Sequence, residues 1–263
     1  QLLPVAAEQL QWMPFVNPKL HMPVIKFIYW SIRQLDTGVQ HARMASTMRR
    51  LGEDIFKGIV SKGDPQSSEQ PTESKSKSAA FFKSSCMPLR FLSTLIVLKT
   101  VTKVDYLAQA FDSLRMDLKT GEGKALFLEY ECVPVILSHL KISSRGLLPS
   151  ALDGLLQMTT ESGFLQPFLE ACSNESFFRT CSALLQSSKQ DVQILETLCV
   201  LLQMLSRIKS NKKMFELFNL HQMIQELHRT ANPDHAFLCI NLNSILLNLG
   251  LSRSNSLTSS LST

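Results

Sequence analysis

Thr120-Gly121-Glu122-Gly123-Lys124 is the one segment with the outline of a chemical device, because Gly-Lys closes the loop that cradles phosphates in nucleotide-binding proteins. That loop needs a glycine five residues before Gly123, a Ser or Thr after the lysine, and a strand in front. Here the positions hold Leu118 and Ala125, and helical periodicity precedes them, so the segment reads as a helix-to-helix connection. His221 and His228 share a helix face two turns apart, about 10 Å, which is too far for one metal ion. Six cysteines, Cys86, Cys132, Cys172, Cys181, Cys199 and Cys239, lie in apolar stretches without a CxxC, the pattern of thiols used as small core residues in a reducing, cytoplasmic compartment. No GxSxG, no HExxH and no convergent carboxylates occur. The residue types therefore predict no enzyme, no cofactor and no metal.

Two sets of polar residues remain for recognition. Gln157, Gln203 and Asn248 interrupt the apolar runs Leu155-Leu156-Gln157-Met158, Leu201-Leu202-Gln203-Met204 and Leu246-Leu247-Asn248-Leu249 at equivalent places. An amide at such a position donates and accepts, so it can bond the backbone of an extended peptide. Arg207, Lys209, Lys212 and Lys213 form the densest basic cluster, and Arg49-Arg50 a second one. A basic turn of this kind suits an acidic protein surface. Aromatics that would stack bases are missing beside both clusters, so nucleic acid is not expected.

The elements that must position these residues are helices. Ile25, Ile28, Ile32 and Leu35 make one stripe at helical spacing, and Met44, Met48, Leu51, Ile55 and Ile59 make a second. Val104, Leu107, Ala108, Phe111, Leu114 and Leu118 repeat the pattern, as do Val192, Leu195, Leu198, Cys199, Leu202 and Leu205. No sustained alternation bounded by turn dipeptides points to a strand. The three Leu-Leu runs lie 46 and 45 residues apart, each late in a long amphipathic stretch. Shorter helical pairs precede them at 125–140, 165–185 and 213–227, and Pro134 in Val133-Pro134-Val135-Ile136-Leu137 opens one of these helices. Two short helices and one long helix at a period near 45 predict an all-α armadillo/HEAT-like repeat stack, with an irregular helical bundle as the alternative. In armadillo stacks the long helix lines a concave surface. Gln in place of Asn in two of the three units departs from an importin-like asparagine ladder.

The chain has 263 residues, a formal net charge of +5 and 44% hydrophobic residues, enough for a self-sustaining core without disulfides. The longest apolar run, 89–98, is far short of the roughly 20 residues that cross a bilayer. The first residues carry no signal-peptide pattern, so the stretch reads as part of a longer protein. Residues 61–80 hold no Val, Ile, Leu, Phe or Met and are dense in Ser, Lys, Glu and Pro, so they cannot offset the entropy of ordering. The expected organisation is therefore N-terminal helices at 1–62 packing on the stack, a disordered loop at 63–79, the repeats at 80–251 and a flexible Ser-rich tail at 252–263.

The runs EQLQWMPFVN (8–17), KFIYWSIRQLD (26–36), TMRRLGEDIFKG (47–58), PLRFLSTLIVLKTVT (88–102), YLAQAFDSL (106–114), FLEACSN (168–174), KSNKK (209–213) and HAFLCINLNS (235–244) resemble the C-terminal region of the coiled-coil domain-containing protein 138 family. The resemblance covers essentially the whole chain, and none of these runs is a catalytic motif. It implies a disordered N-terminal part and a central coiled coil outside this stretch, self-association through that coiled coil, and residence at centrosomes, centriolar satellites and cilia. It also implies centrosomal or satellite proteins as partners. The combined expectation is a non-enzymatic scaffold or protein-protein interaction domain, without nucleic acid or membrane, that uses Gln157, Gln203, Asn248, Arg207, Lys209, Lys212 and Lys213. The alternative is a structural self-association domain with no separate ligand.

Overall fold

A computed structural model describes residues 2–35, 40–57, 81–140, 146–187 and 191–251. The loop expected at 63–79 and the tail expected at 252–263 lie outside the described residues. Among the described residues the ordered elements are all helical. The chain divides into two compact units, Gln1–Ser138 and His139–Thr263. That division falls inside the 80–251 stretch expected to form one stack.

In the first unit the helices are α1 (Leu2–Val16), α2 (His21–Leu35), α3 (Gln40–Lys57), α4 (Met87–Thr100), α5 (Val104–Asp117), α6 (Gly121–Glu129) and α7 (Val133–Leu137). The core is organised around α4, which packs against α2, α3, α5, α6 and α7. Leu89 and every residue from Phe91 to Leu98 are buried. A helix that is apolar on all faces must be surrounded, and this explains the run that looked too short for a membrane span. The inward stripes are those of the sequence pattern: Ile25, Ile28 and Ile32 on α2, Met48, Leu51 and Ile55 on α3, and Leu107, Phe111 and Leu114 on α5. Leu35, Met44 and Ala108 are half-buried, Val104 at the start of α5 is 60% exposed, and Ile59 lies outside the described residues. At Gly52 of α3, an added Cβ would come within 2.0 Å of the Thr100 hydroxyl, so the glycine permits the close crossing of α3 and α4.

The second unit contains α8 (Leu148–Gln157), α9 (Ser162–Cys172), α10 (Glu175–Ser187), α11 (Val192–Ser206), α12 (Lys212–Leu217), α13 (Leu220–Thr230) and α14 (Ala236–Asn248). Here α11 is the common neighbour, packing against both α8 and α14, while α13 supports α14. Leu195, Leu198, Cys199, Leu201, Leu202 and Leu205 bury its apolar side. Asp191 caps its start by accepting from the Ile194 amide at 3.2 Å. The order of a short pair followed by a long helix recurs as α9, α10, α11 and α12, α13, α14. The pair preceding α8 is α6 and α7, and both belong to the first unit, with α7 packed on α4. What stands is an all-helical architecture that an irregular bundle fits.

Candidate functional site

The glycine-lysine segment is an inter-helix corner. Thr120 caps α6 by accepting from the Gly123 amide at 3.1 Å, and its hydroxyl donates to the Asp117 carbonyl at 2.8 Å. Lys124 is only 1% exposed, which removes it from any solvent-borne phosphate. An added Cβ at Gly123 would lie 2.0 Å from the Asp117 carbonyl oxygen, so close backbone approach accounts for that glycine. The Asp117 carboxylate accepts from Arg90 Nε at 3.1 Å and Nη2 at 2.6 Å. Burial pushes the Asp117 carboxyl above its ordinary value despite those bonds. His221 Nδ1 lies 3.1 Å from the Phe215 carbonyl, while His228 is exposed in the last turn of α13. Among the described residues no three His, Cys, Asp or Glu side chains are grouped to hold a metal ion.

The recognition residues are assembled by the second unit. Gln157 ends α8, Gln203 lies in the last turn of α11, and Asn248 ends α14. Gln203 and Asn248 come together: Asn248 Nδ2 donates to the Gln203 carbonyl at 3.4 Å and to Ser206 Oγ at 2.8 Å. Ser206 in turn donates to the Gln203 carbonyl at 2.7 Å. The Asn248 NH2 is thus spent inside the fold, tying α14 to the end of α11. The side-chain amides of Gln157 and Gln203 are half-buried and make no hydrogen bond among the described residues. Gln157 sits on a helix that packs on α11, but it is not bonded to the other two.

The basic cluster continues from the same end of α11. Arg207 is the residue following the helix, Lys209 lies in a 3-10 turn at Lys209–Asn211, and Lys212 and Lys213 begin α12. All four are exposed, and none pairs with a carboxylate among the described residues. Lys212 and Lys213 stand at a helix start, where the helix dipole favours acidic residues, so they are not there to stabilise α12. Asn211 is the residue that sequence reasoning missed. It is buried, and its Nδ2 donates to Ser173 Oγ at 2.9 Å and to the Leu205 carbonyl at 3.2 Å, pinning the basic turn to the ends of α9 and α11.

A second feature unmarked by the sequence is an aromatic cluster in the first unit. The Tyr29 hydroxyl donates to the Tyr130 carbonyl at 2.7 Å, fastening α2 to the end of α6. Trp30 is exposed beside it, with the Arg33 guanidinium 5.0 Å from the Trp30 ring and paired to Glu131 at 2.5 Å. Glu131 takes a left-handed backbone, φ 48°, to make that corner.

A family model described as the coiled-coil domain-containing protein 138, C-terminal domain, matches residues 1–249. The chain belongs to this family. Similar relatives are coiled-coil domain-containing protein 138 of Macaca fascicularis, 71% identical over 263 residues, and of Homo sapiens, 70% identical over the same length. That of Mus musculus is 65% identical. In each case the whole chain is covered, but only 39–40% of the relative, so the chain spans about two fifths of the length of the curated relatives it matches. No solved structure matches the chain. The family name describes a coiled-coil-containing protein and not a catalyst, and no described helix of this C-terminal domain is long and apolar enough to cross a membrane.

Proposed function

We propose that this domain is a non-enzymatic docking module of a cytoplasmic scaffold at centrosomes or centriolar satellites. In this reading it is an armadillo/HEAT-like stack whose long helices α8 and α11 present Gln157 and Gln203 to an extended segment of a protein partner, while Asn248 holds the end of α14 against α11. The partner is acidic, because Arg207, Lys209, Lys212 and Lys213 flank that face as four unpaired, exposed cations. The observation that carries the reading is the bond network from Asn248 to Gln203 and Ser206. It fixes two of the amide-bearing helix ends side by side, next to the basic turn that Asn211 holds in place. A coiled coil outside this stretch would bring several copies together, so that modest single-site affinity suffices.

The test is proximity labelling by the full-length protein in cells. Wild type is compared with a Gln157→Ala/Gln203→Ala variant and with one in which the four cations are changed to Glu. Loss of up to two neutral hydrogen bonds costs about 1 to 3 kcal/mol, so both variants should lose the same subset of labelled neighbours while their helicity is kept. An unchanged set of neighbours in both folded variants sinks the reading.

A further inference from the structure

The basic turn carries one group that the docking reading does not use. Ser210 stands at its centre, exposed, and its hydroxyl makes no hydrogen bond among the described residues. Residues 207–213 read Arg-Ile-Lys-Ser-Asn-Lys-Lys, with cations three and one residues before the serine, two and three residues after it, and no Asp or Glu between them. Protein kinases select acceptors by charge pattern as well as by the hydroxyl. A hydroxyl with cations on both sides complements a kinase whose peptide groove is lined by carboxylates. All four cations are exposed and pair with no carboxylate among the described residues, so they are available to be read.

The fold separates Ser210 from the other serines that carry part of this pattern. Among the described residues Ser46, Ser93 and Ser182 also follow an arginine by three positions. Ser93 is buried, and Ser182 donates its hydroxyl to the Phe218 carbonyl at 3.0 Å. Ser46 lies inside the 18-residue helix α3, where presenting extended chain to a kinase would break several turns. Ser210 instead lies in the single 3-10 turn Lys209–Asn211, between the end of α11 and the start of α12. One such turn is the least cooperative helical piece and opens locally at low cost. Its hold is Asn211, through the side-chain bonds to Ser173 and the Leu205 carbonyl and an amide bond to the Ile208 carbonyl at 3.0 Å.

We infer that Ser210 is a phosphorylation site for a protein kinase that reads basic residues, and that its phosphate occupies the basic turn and closes it to an acidic partner. In the transfer Ser210 Oγ attacks the γ-phosphorus of kinase-bound Mg-ATP and gives its proton to the kinase's catalytic carboxylate. The bond from the γ-phosphorus to the bridging oxygen breaks, and ADP leaves with that electron pair. The product carries a charge of about −1.5 to −2 at pH 7 amid four cations, with Arg207 offering a forked donor and the lysines point charges. Because it is tethered, it meets them at an effective concentration that a separate acidic segment does not match. The closing of the turn rests on the docking reading, whereas the modification and the pairing of the phosphate with the cations do not.

Mass spectrometry of the folded 263-residue chain, after incubation with Mg-ATP and the catalytic domain of protein kinase C, reads the modification. Ser210 should be phosphorylated close to stoichiometrically, and Arg207→Gln/Lys213→Gln, both at exposed positions, should slow it at least about tenfold. Phosphorus NMR titration then reads the pairing. The phosphate should lose its second proton at about pH 5.5 or lower in place of the ordinary value near 6, and return toward 6 in about 0.5 M salt. An unmodified Ser210, a rate unmoved by loss of the two flanking cations, or a phosphate that titrates near 6 at low salt overturns the inference. In cells, Ser210→Glu in the full-length protein should lose the labelled neighbours that the four-cation variant loses. Should it keep them, the closure is overturned. Should neither variant lose any while the modification and the titration hold, it is the docking reading that fails.

Discussion

Changing Gly123 to Ala tests whether the glycine-lysine corner is architecture or a ligand loop. The new Cβ would stand 2.0 Å from the Asp117 carbonyl oxygen and 2.5 Å from its carbon, where ordinary contact begins at 3.4 Å. The corner must open by more than 1 Å by these distances, and the atom in the way is backbone, which cannot swing aside. That same oxygen accepts from the Thr120 amide at 3.1 Å and the Thr120 hydroxyl at 2.8 Å, and the hydroxyl caps the Gly123 amide. Weakening the cap costs about 1 kcal/mol. Disturbing the two bonds to Asp117 costs about another 1 to 2 kcal/mol. Removing a glycine from a helix returns up to about 1 kcal/mol. The net is a destabilisation of about 1 to 3 kcal/mol, the usual range for overpacking. Urea unfolding followed by the helical circular dichroism signal measures it. Gly154→Ala in α8 is the control, because its Cβ meets no heavy atom within 4 Å. It should be neutral or stabilising by up to about 1 kcal/mol. If Gly123→Ala were as stable as wild type, close approach would not be the reason for the glycine, and the corner would again be a candidate for binding.

Leu198 is fully buried on α11, so Leu198→Ala should lower the unfolding free energy by about 2 to 5 kcal/mol in the same urea assay. A loss under about 0.5 kcal/mol would show that the stripe is not packed. Burial raises the thiols of Cys132, Cys172 and Cys181 well above their ordinary value and that of Cys199 to about 12. Because folding raises these values, the stability they contribute is complete below about pH 8.5 and is lost as pH rises toward the folded values, at about 1.4 kcal/mol per pH unit for each thiol. The urea midpoint should therefore fall between pH 9 and pH 11 as these windows overlap, and less steeply in Cys199→Ala. Equal slopes in the two proteins would refute the assignment.

What the sequence made legible is what one helix face carries by itself. Ile25, Ile28 and Ile32 were readable as an inward stripe because burial selects apolar residues at the helical period, whichever helix they meet. The corner at 120–124 was readable as a helix-to-helix connection for a similarly local reason, because Leu118 and Ala125 stand where a phosphate loop needs Gly and Ser or Thr. The pairing of helices is another matter. Nothing in the Leu89–Leu98 run states that five helices gather on α4, or that α7 is among them, which is why one stack over 80–251 was expected and two compact units, divided after Ser138, were found.

The candidate site divides along the same line. The register of Gln157, Gln203 and Asn248 was visible, because equivalent positions recur at 46 and 45 residues. Their roles were not, because those depend on residues that look unremarkable alone. Ser206 receives the Asn248 amide, which turns Asn248 from a free ligand into a tie between α14 and α11 and leaves Gln157 and Gln203 with unspent hydrogen-bonding capacity. Asn211 sits among lysines and reads as solvated, yet its partner Ser173 is 38 residues away, and no local pattern reports that closure. The cations are therefore not a floppy basic run. Lys209, Lys212 and Lys213 are carried by a turn whose centre is buried and bonded, so the backbone that presents them is already in place before any acidic chain of the proposed kind would bind.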